Sequence, residues 1–401
     1  MEPDSGNSDK KIFGLEWNIF FSGLTSFLTD TATKMIYCIM PFFLLSIGAS
    51  KTMLSLIEGI AESTASVLKA FSGLWSDKIG KNKPFMIVGY AFTTIISPLY
   101  ALVFSPIHVL YLRFIERIGK GIRTAPRDSL VAGSTIGSRT GRSFGFHKAM
   151  DNCGAIAGPL IAFWVLSVFP SDYRKIFLIS AIPAMLGVLT IVLFVKEAKK
   201  KKEDLPEKIS LKDFSARYYL FLAIIFIFTL GNSTDALLLV KANAIGITTA
   251  YIPLVYLIFY SVSVIFAIPI GILSDKIGRE RLIIAGYILY SIVYYGFGHT
   301  DTKSVIIGLF MLYGLYSAAT DGVQKALVSD IIDKKRRGTG MGIYNTVLGI
   351  TLLPASLIAG ILYDRVNDRA PFYFGACTAL IAAVLMIVFY LTKDRLKTSQ
   401  T

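Results

Sequence analysis

Apolar residues in this chain fall in long blocks, many of roughly 20 residues or more, separated by short polar stretches. A helix rises about 1.5 Å per residue, so about 20 such residues cross the hydrocarbon core of a bilayer. Helices of a soluble core are shorter and apolar on one face only. The blocks predict twelve spans, over residues 14–47, 53–76, 84–104, 107–134, 143–169, 174–195, 216–243, 251–274, 281–298, 303–330, 339–363 and 370–392. The expected fold class is all-α integral membrane. The opening MEPDSGNSDKK is polar and carries acids, and the apolar stretch from Ile12 is too long for a signal-peptide core. That stretch is read as the first span, with no cleavable signal before it.

The longest polar interruption, KEAKKKKEDLPEKISLKDFSAR, runs from Lys196 to Arg217 and contains Pro206. Its charge suits an aqueous linker. It divides the chain into residues 1–195, a linker over 196–215, and residues 216–401. The two sides repeat each other. GLWSDKIGKNKPFMIVGY begins at Gly73 and GILSDKIGRERLIIAGY at Gly271, 198 residues later. RTGRSFG at Arg139 is echoed by RRGTGMG at Arg336, a shift of 197. The matching positions include polar residues in register, which chance similarity of apolar helices does not produce. Duplicated six-helix halves place a solute site near the midplane between them.

Composition agrees with this reading. Of 401 residues, 54% are hydrophobic and 17% charged, against about 45–50% and a quarter in soluble proteins. The net charge of +14 would suit nucleic acid, but its distribution argues against that partner, and no nucleic-acid-binding motif is visible. Most Lys and Arg lie in alternate short loops: Lys78, Lys81, Lys83, Arg139, Arg142, the linker cluster, Lys276, Arg279, Arg281 and Lys334–Arg337. The opposite loops hold Lys51, Arg174, Lys175, Lys303, Arg365 and Arg369, several beside acids. Basic loops stay inside, so both termini are expected in the cytoplasm. Reporter fusions at Lys81, Lys200 and Lys335 should read cytoplasmic and one at Lys303 periplasmic; a periplasmic signal at Lys200 would reverse the orientation. The three cysteines, Cys38, Cys153 and Cys377, lie in apolar segments at spacings that suit neither disulfides nor zinc. No metal or cofactor is expected.

The doubled motif is Gly-x-x-x-Asp-x-x-Gly followed by a basic residue: Gly73, Asp77, Gly80, Lys81, then Gly271, Asp275, Gly278, Arg279. Glycines allow close approach and tight turning. An Asp at a helix end can meet a basic residue or the positive N-terminus of another helix. The motif resembles the signature loop between helices two and three of the major facilitator superfamily, with its counterpart between helices eight and nine. The resemblance covers essentially the whole chain. It implies two pseudo-symmetric six-helix bundles and secondary transport by alternating access. It also implies that Asp77 latches the outward-facing state by meeting helix eleven near Gly338, with Arg127, Arg139 or Arg142 completing the network. GKGIRTAPRDSL and GRSFGFHKAMDN, between Gly119 and Asn152, are similar to a bacterial permease branch that includes efflux and siderophore transporters.

Helix five carries GAIAGP, with Gly154, Gly158 and Pro159. It resembles the antiporter motif of the superfamily, but Ala162 and Phe163 follow where that motif ends in glycines. Small residues four apart permit close helix contact, and Pro159 can bend the helix. Helix four, RFIERIGKGIRTAPRDSL, holds more chemistry. Arg113 matches the Arg usual in the family, whereas Arg117 and Lys120 stand where small residues are usual. At about 100° per residue, Arg113, Arg117, Lys120 and Arg127 share an arc of about 80°, with Glu116 and Arg123 assigned to another face. Basic groups facing lipid are costly, so the stripe should face a central cavity or paired acids. Arg grips carboxylates and phosphates bidentately.

Acids complete the constellation. Asp30 and Lys34 are one turn apart in helix one, Glu58, Glu62 and Lys69 share a face of helix two, and His147, Lys148 and Asp151 open helix five. Asp235 lies in helix seven, and Asp321 with Lys325 in helix ten. A carboxyl in a low-dielectric site can cycle protons, and competition between a proton and Arg is a coupling device. Glu58, Glu62 and Asp30 are the coupling candidates; Arg113, Arg117, Lys120, Asp30 and Asp235 are the solute-site candidates. The expected activity is monomeric, proton-coupled rather than sodium-coupled, transport of a small polar anionic solute. A multidrug antiporter is the alternative, favoured by Gly-Pro and by 28 Phe and 20 Tyr. A non-transporting sensor of the same fold is a remote third. No Gly-x-x-x-x-Gly-Lys-Ser/Thr loop is present, which argues against nucleotide-driven transport, and no enzyme is expected.

Overall fold

The computed structural model describes residues 11–13, 15–79, 81–135, 140–197, 214–333 and 336–392, without the side chains of 70, 73–75, 77, 78, 140 and 141. These residues are overwhelmingly helical. The helices are α1 Trp17–Ser46, α2 Lys51–Ile79, α3 Lys83–Leu99, α4 Pro106–Gly133, α5 Thr140–Val168, α6 Tyr173–Phe194, α7 Ala216–Leu230, α8 Asp235–Ala244, α9 Ile252–Ile277, α10 Arg279–His299, α11 Lys303–Ile331, α12 Arg337–Arg365 and α13 Ala370–Leu391. Single 3-10 turns at Tyr100–Leu102 and Thr249–Tyr251 adjoin α3 and α9. The all-α membrane fold expected from the apolar blocks is the fold observed, with most ends within a few residues.

Two expectations need correction. Lys11–Ile12 and Leu15–Glu16 pair as a short antiparallel ladder, so the first helix starts at Trp17 rather than near residue 14. The expected span 216–243 is interrupted between α7 and α8. The segment Gly231-Asn232-Ser233-Thr234 is turn and cap chemistry: Thr234 adopts an extended conformation and its hydroxyl accepts from Ala236 N at 3.4 Å. Tyrosines hold the interruption open. Tyr290 Oη donates to Gly231 O at 3.2 Å, and Tyr294 Oη meets Ser233 Oγ at 3.0 Å. The Tyr290 bond satisfies a backbone carbonyl that the broken ladder would otherwise leave bare inside a membrane, and the Tyr294 bond pairs the Ser233 hydroxyl.

Ten spans, with α7 and α8 taken together, are long and apolar enough to cross a membrane. The exceptions are α2 and α4, each of which carries several charged residues. Charge in a spanning helix is costly and points to function.

The chain forms two compact units: Met1–Met40 with Val67–Asp204, and Pro41–Ser66 with Leu205–Thr401. In the first, α3 packs on α4 and α6. Gly89 and Gly119 let α3 and α4 nearly touch: a Cβ at Gly89 would lie 2.6 Å from Gly119 O. Helix α5 meets α1 in the same manner. A Cβ at Gly154 would lie 2.5 Å from Phe27 O, and one at Gly158 would lie 2.6 Å from Thr31 O and 2.9 Å from Met35 N. Backbone cannot give way as a side chain can. Gly158→Leu is therefore expected to destabilise the fold by about 1–3 kcal/mol or more. The readout is a lower midpoint in a thermal aggregation assay of detergent-solubilised protein; an unchanged midpoint would mean that α1 and α5 can separate freely there.

In the second unit, α10 packs on α11 and α13, and α9 on α11. The first half of α2 also belongs to this unit and lies along α12. Cβ atoms added at Gly59 and Gly360 would meet Ser356 Cβ at 3.0 Å and Thr52 Cα at 2.7 Å. Asp364, near the end of α12, accepts from Thr52 N and Thr52 Oγ1, each at 2.7 Å, and so caps the start of α2.

Candidate solute and coupling site

The charged face of α4 lies in the first unit. Pro106 starts the helix where its missing N–H costs nothing. Arg113 is only 1% exposed; its Nη1 lies 3.1 Å from Glu116 Oε2, and Tyr100 Oη donates to the same oxygen at 2.8 Å. Glu116 had been assigned to another face, yet it is only about 60° round from Arg113 and reaches it across one turn. Arg117, one turn further, is 6% exposed, and Lys120 is exposed. Arg123 is buried, stacked 4.1 Å from the Tyr90 ring centroid and donating to Thr93 Oγ1 at 3.0 Å. The stripe thus grades from a buried ion pair at Arg113 to an accessible cation at Lys120.

Below the stripe, α1, α4 and α5 join in one polar cluster. Arg127 donates to Asp128 Oδ1 at 2.9 Å and to Ser26 Oγ at 3.4 Å. Ser26 Oγ donates in turn to Asp151 Oδ1. His147 Nδ1 lies 3.5 Å from that same oxygen. Asp30 is half-buried on α1, and the charges acting on it are Asp151, Lys34, Arg123 and Lys120. The structure therefore brings Asp30, Lys120 and Arg127 into one electrostatic neighbourhood.

Glu58 and Glu62 sit on the part of α2 that belongs to the second unit; Glu58 is 3% exposed and Glu62 half-buried. Lys69, expected on their face, falls in the first unit. Asp235 opens α8 and is half-buried, accepting from Tyr313 Oη at 2.8 Å. Around it, Tyr290, Tyr294, Tyr313 and Tyr316 form a stacked group, with Tyr290 and Tyr294 centroids 4.0 Å apart. Deeper in α11, Gln324 receives Tyr344 Oη at 2.9 Å and donates to Tyr287 Oη at 3.2 Å. In the sequence these tyrosines count only toward a multidrug alternative; the hydroxyl network is not legible there, because no helical period in one span reveals a partner on another.

In the first copy of the doubled motif, Gly73 lies within α2, whereas Gly80 and the side chain of Asp77 lie outside the described residues, as does Arg139. In the second copy Asp275 is exposed and pairs with Arg279 at 3.4 Å, while Arg279 also reaches Asp330 at 3.0 Å. Gly278 has φ +97° at the junction of α9 and α10, which an L side chain rarely adopts. Gly271 adjoins open space, and Arg142 is exposed at the start of α5. Pro159 lies within α5 without ending it. Among the described residues, no three or more His, Cys, Asp or Glu are grouped to hold a metal ion.

Comparison with known proteins gives one family. The Major Facilitator Superfamily model matches residues 22–240 and 220–401. The chain is 35% identical over 385 residues to an uncharacterized MFS-type transporter of Methanocaldococcus jannaschii, covering 93% of this chain and 95% of that one. It is 23% identical to the multidrug resistance protein MdtH of Photorhabdus laumondii, with 80% of each covered. Among solved structures, a POT family transporter in complex with 5-aminolevulinic acid superposes with TM-score 0.80 at 14% identity, covering 96% of this chain and 98% of that one. The nucleoside transporter NupG gives 0.74 at 13%, covering 93% and 98%. At such identities the structures speak for the fold alone.

Proposed function

This chain belongs to the Major Facilitator Superfamily, and we propose that within it the protein is a proton-coupled transporter of a small polar, anionic organic solute. That it is a multi-pass membrane transporter and not an enzyme follows from the family. The solute's charge and the coupling ion are our reading. We place the six-span halves at residues 1–195 and 216–401, joined by the linker over 196–215, with both termini in the cytoplasm and the chain acting as a monomer.

One observation carries the solute's charge: between Arg113 and Asp128, α4 bears five basic side chains against two acids, with Arg113, Arg117 and Arg123 all buried. Buried cations are retained where something anionic meets them, and the two acids of α4 itself balance only part of the excess. In this reading Arg113, held by Glu116, is the fixed floor of the site. Arg117 and Lys120 supply the contacts to a carboxylate or phosphate. Asp235 and its tyrosines form a second candidate polar site, within the other unit. Glu58, Glu62 and Asp30 exchange protons, and Asp77, Asp275 and their glycines gate.

The test is a thermal-shift screen of purified protein against carboxylates, phosphorylated metabolites, ferric siderophores and cationic drugs. A ligand at 100 times its Kd should add about 2.7 kcal/mol of stability. Stabilisation by anions alone supports the reading. Stabilisation by lipophilic cations favours a second one, multidrug export, to which the MdtH relative lends weight.

A further inference from the structure

We propose that His147 and Asp151 of α5 form the proton-binding site of the first unit, and that Ser26 and Arg127 report its loading to α1 and α4. The proposal rests on the proton-coupled reading above and adds a site that reading does not use.

Three observations support it. His147 is 5% exposed, and among the described residues no group meets its Nε2. A buried polar atom without a partner is unusual enough to require a reason. Its other nitrogen, Nδ1, lies 3.5 Å from Asp151 Oδ1, the natural acceptor for an imidazolium N–H. Asp151 is not a terminus of the network. Its Oδ1 also takes the Ser26 hydroxyl, and Ser26 Oγ receives Arg127 Nη1 at 3.4 Å.

The proton balance is simple. A neutral imidazole has one N–H; one proton from water adds to the bare nitrogen and gives two. One N–H then faces Asp151 and competes with Ser26 for Oδ1. The other stands at Nε2, where the described residues offer no acceptor in the present arrangement. Loading therefore favours a different packing of α1 against α5, and release restores this one. The charges that act on the pair are Asp30 from α1, Lys148 from α5 itself, and Arg127 and Asp128 from α4. Burial foremost, then Arg127 and Lys148, oppose the added charge, while Asp151 and Asp128 favour it. Asp30, itself acted on by Lys34, Lys120 and Arg123, ties the pair to the basic stripe, so a bound anion and a bound proton can sense each other.

The chain has only three histidines, and His108 and His299 are exposed. The double variant His108→Gln/His299→Gln therefore leaves His147 as the single histidine without touching the site. Its labelled imidazole nitrogens can be followed by NMR in detergent micelles. As pH falls from about 8 to about 3.5, the signals should pass reversibly from neutral toward protonated positions. Adding Asp151→Asn should weaken proton binding about tenfold or more; Ser26→Ala, which spares both titrating groups, should shift the same curve. An imidazole that stays neutral throughout, or that titrates identically with and without Asp151, overturns the proposal. The titration of the double-histidine variant leaves the site itself unaltered, so misfolding of Asp151→Asn cannot shield it. Failure of the proton-coupled reading shows separately, as accumulation indifferent to a pH gradient.

Discussion

Arg117→Ala is expected to weaken binding of an anionic ligand about 30-fold or more, the low end of the 2–5 kcal/mol that follows loss of one partner from a desolvated charge pair. Arg117 stands at 6% exposure, one turn beyond the Arg113–Glu116 pair. Arg113 is already engaged by Glu116, so its removal would damage the helix as well as the site. Arg117 and Lys120 are the better probes. Arg117→Lys should rescue only partly, because an ammonium cannot reproduce the bidentate fork. Lys120→Ala should cost less, since an exposed cation is screened. Calorimetry on wild type and variants, with a ligand from the screen, measures all three. Normal affinity in both Arg117→Ala and Lys120→Ala would make the stripe structural and move the anion site elsewhere.

The second large effect concerns coupling. Glu62→Gln is expected to abolish accumulation driven by a pH gradient in proteoliposomes while leaving solute exchange intact. Accumulation needs a carboxyl that takes up and releases a proton in each cycle, and exchange does not. Glu58, one turn away and 3% exposed, can serve as the alternative carrier. The experiment therefore includes Glu58→Gln and the double variant. Proton-driven accumulation at the wild-type rate in the double variant would eliminate this pair and leave His147, Asp151 and Asp30 as the coupling groups.

The architecture was legible because the bilayer imposes it. A span needs a minimum run of apolar residues, and the runs could be read directly. Even α2 and α4, which fall outside the ten apolar spans, were recognisable from their length and from their place in the repeat. The interruption at 231–234 was missed because the apolar flanks of α7 and α8 outweighed four residues. The signal was nevertheless present in Gly231 and in the cap pair Thr234-Asp235. The contact of α4 with its own Glu116 was misjudged by a narrow angle on the helical wheel. Contacts between helices were the least legible. The link from Ser26 to Asp151 spans 125 residues, and the tyrosine bonds to Gly231 and Ser233 cross from α10 to a segment some 60 residues earlier. Periodicity ranks faces within one helix, and it says nothing of which face another helix brings.

The interrupted seventh span is mechanically two stiff rods, of 15 and 10 residues, joined by a flexure. A continuous helix resists bending because its amide–carbonyl ladder would have to stretch. At this joint the ladder is already open: Tyr290 Oη takes the Gly231 carbonyl and Tyr294 Oη the Ser233 hydroxyl, each bond worth a net 0.5–1.5 kcal/mol or so. The far end of the shorter rod is moored by Lys241, whose Nζ donates to Asp368 Oδ2 at 2.8 Å. A swing of α8 therefore requires exchange of a few side-chain partners, with no turn unwound. The stiffness of the joint resides in phenolic oxygens that Tyr→Phe substitution can remove one at a time, which makes it adjustable by single-atom changes.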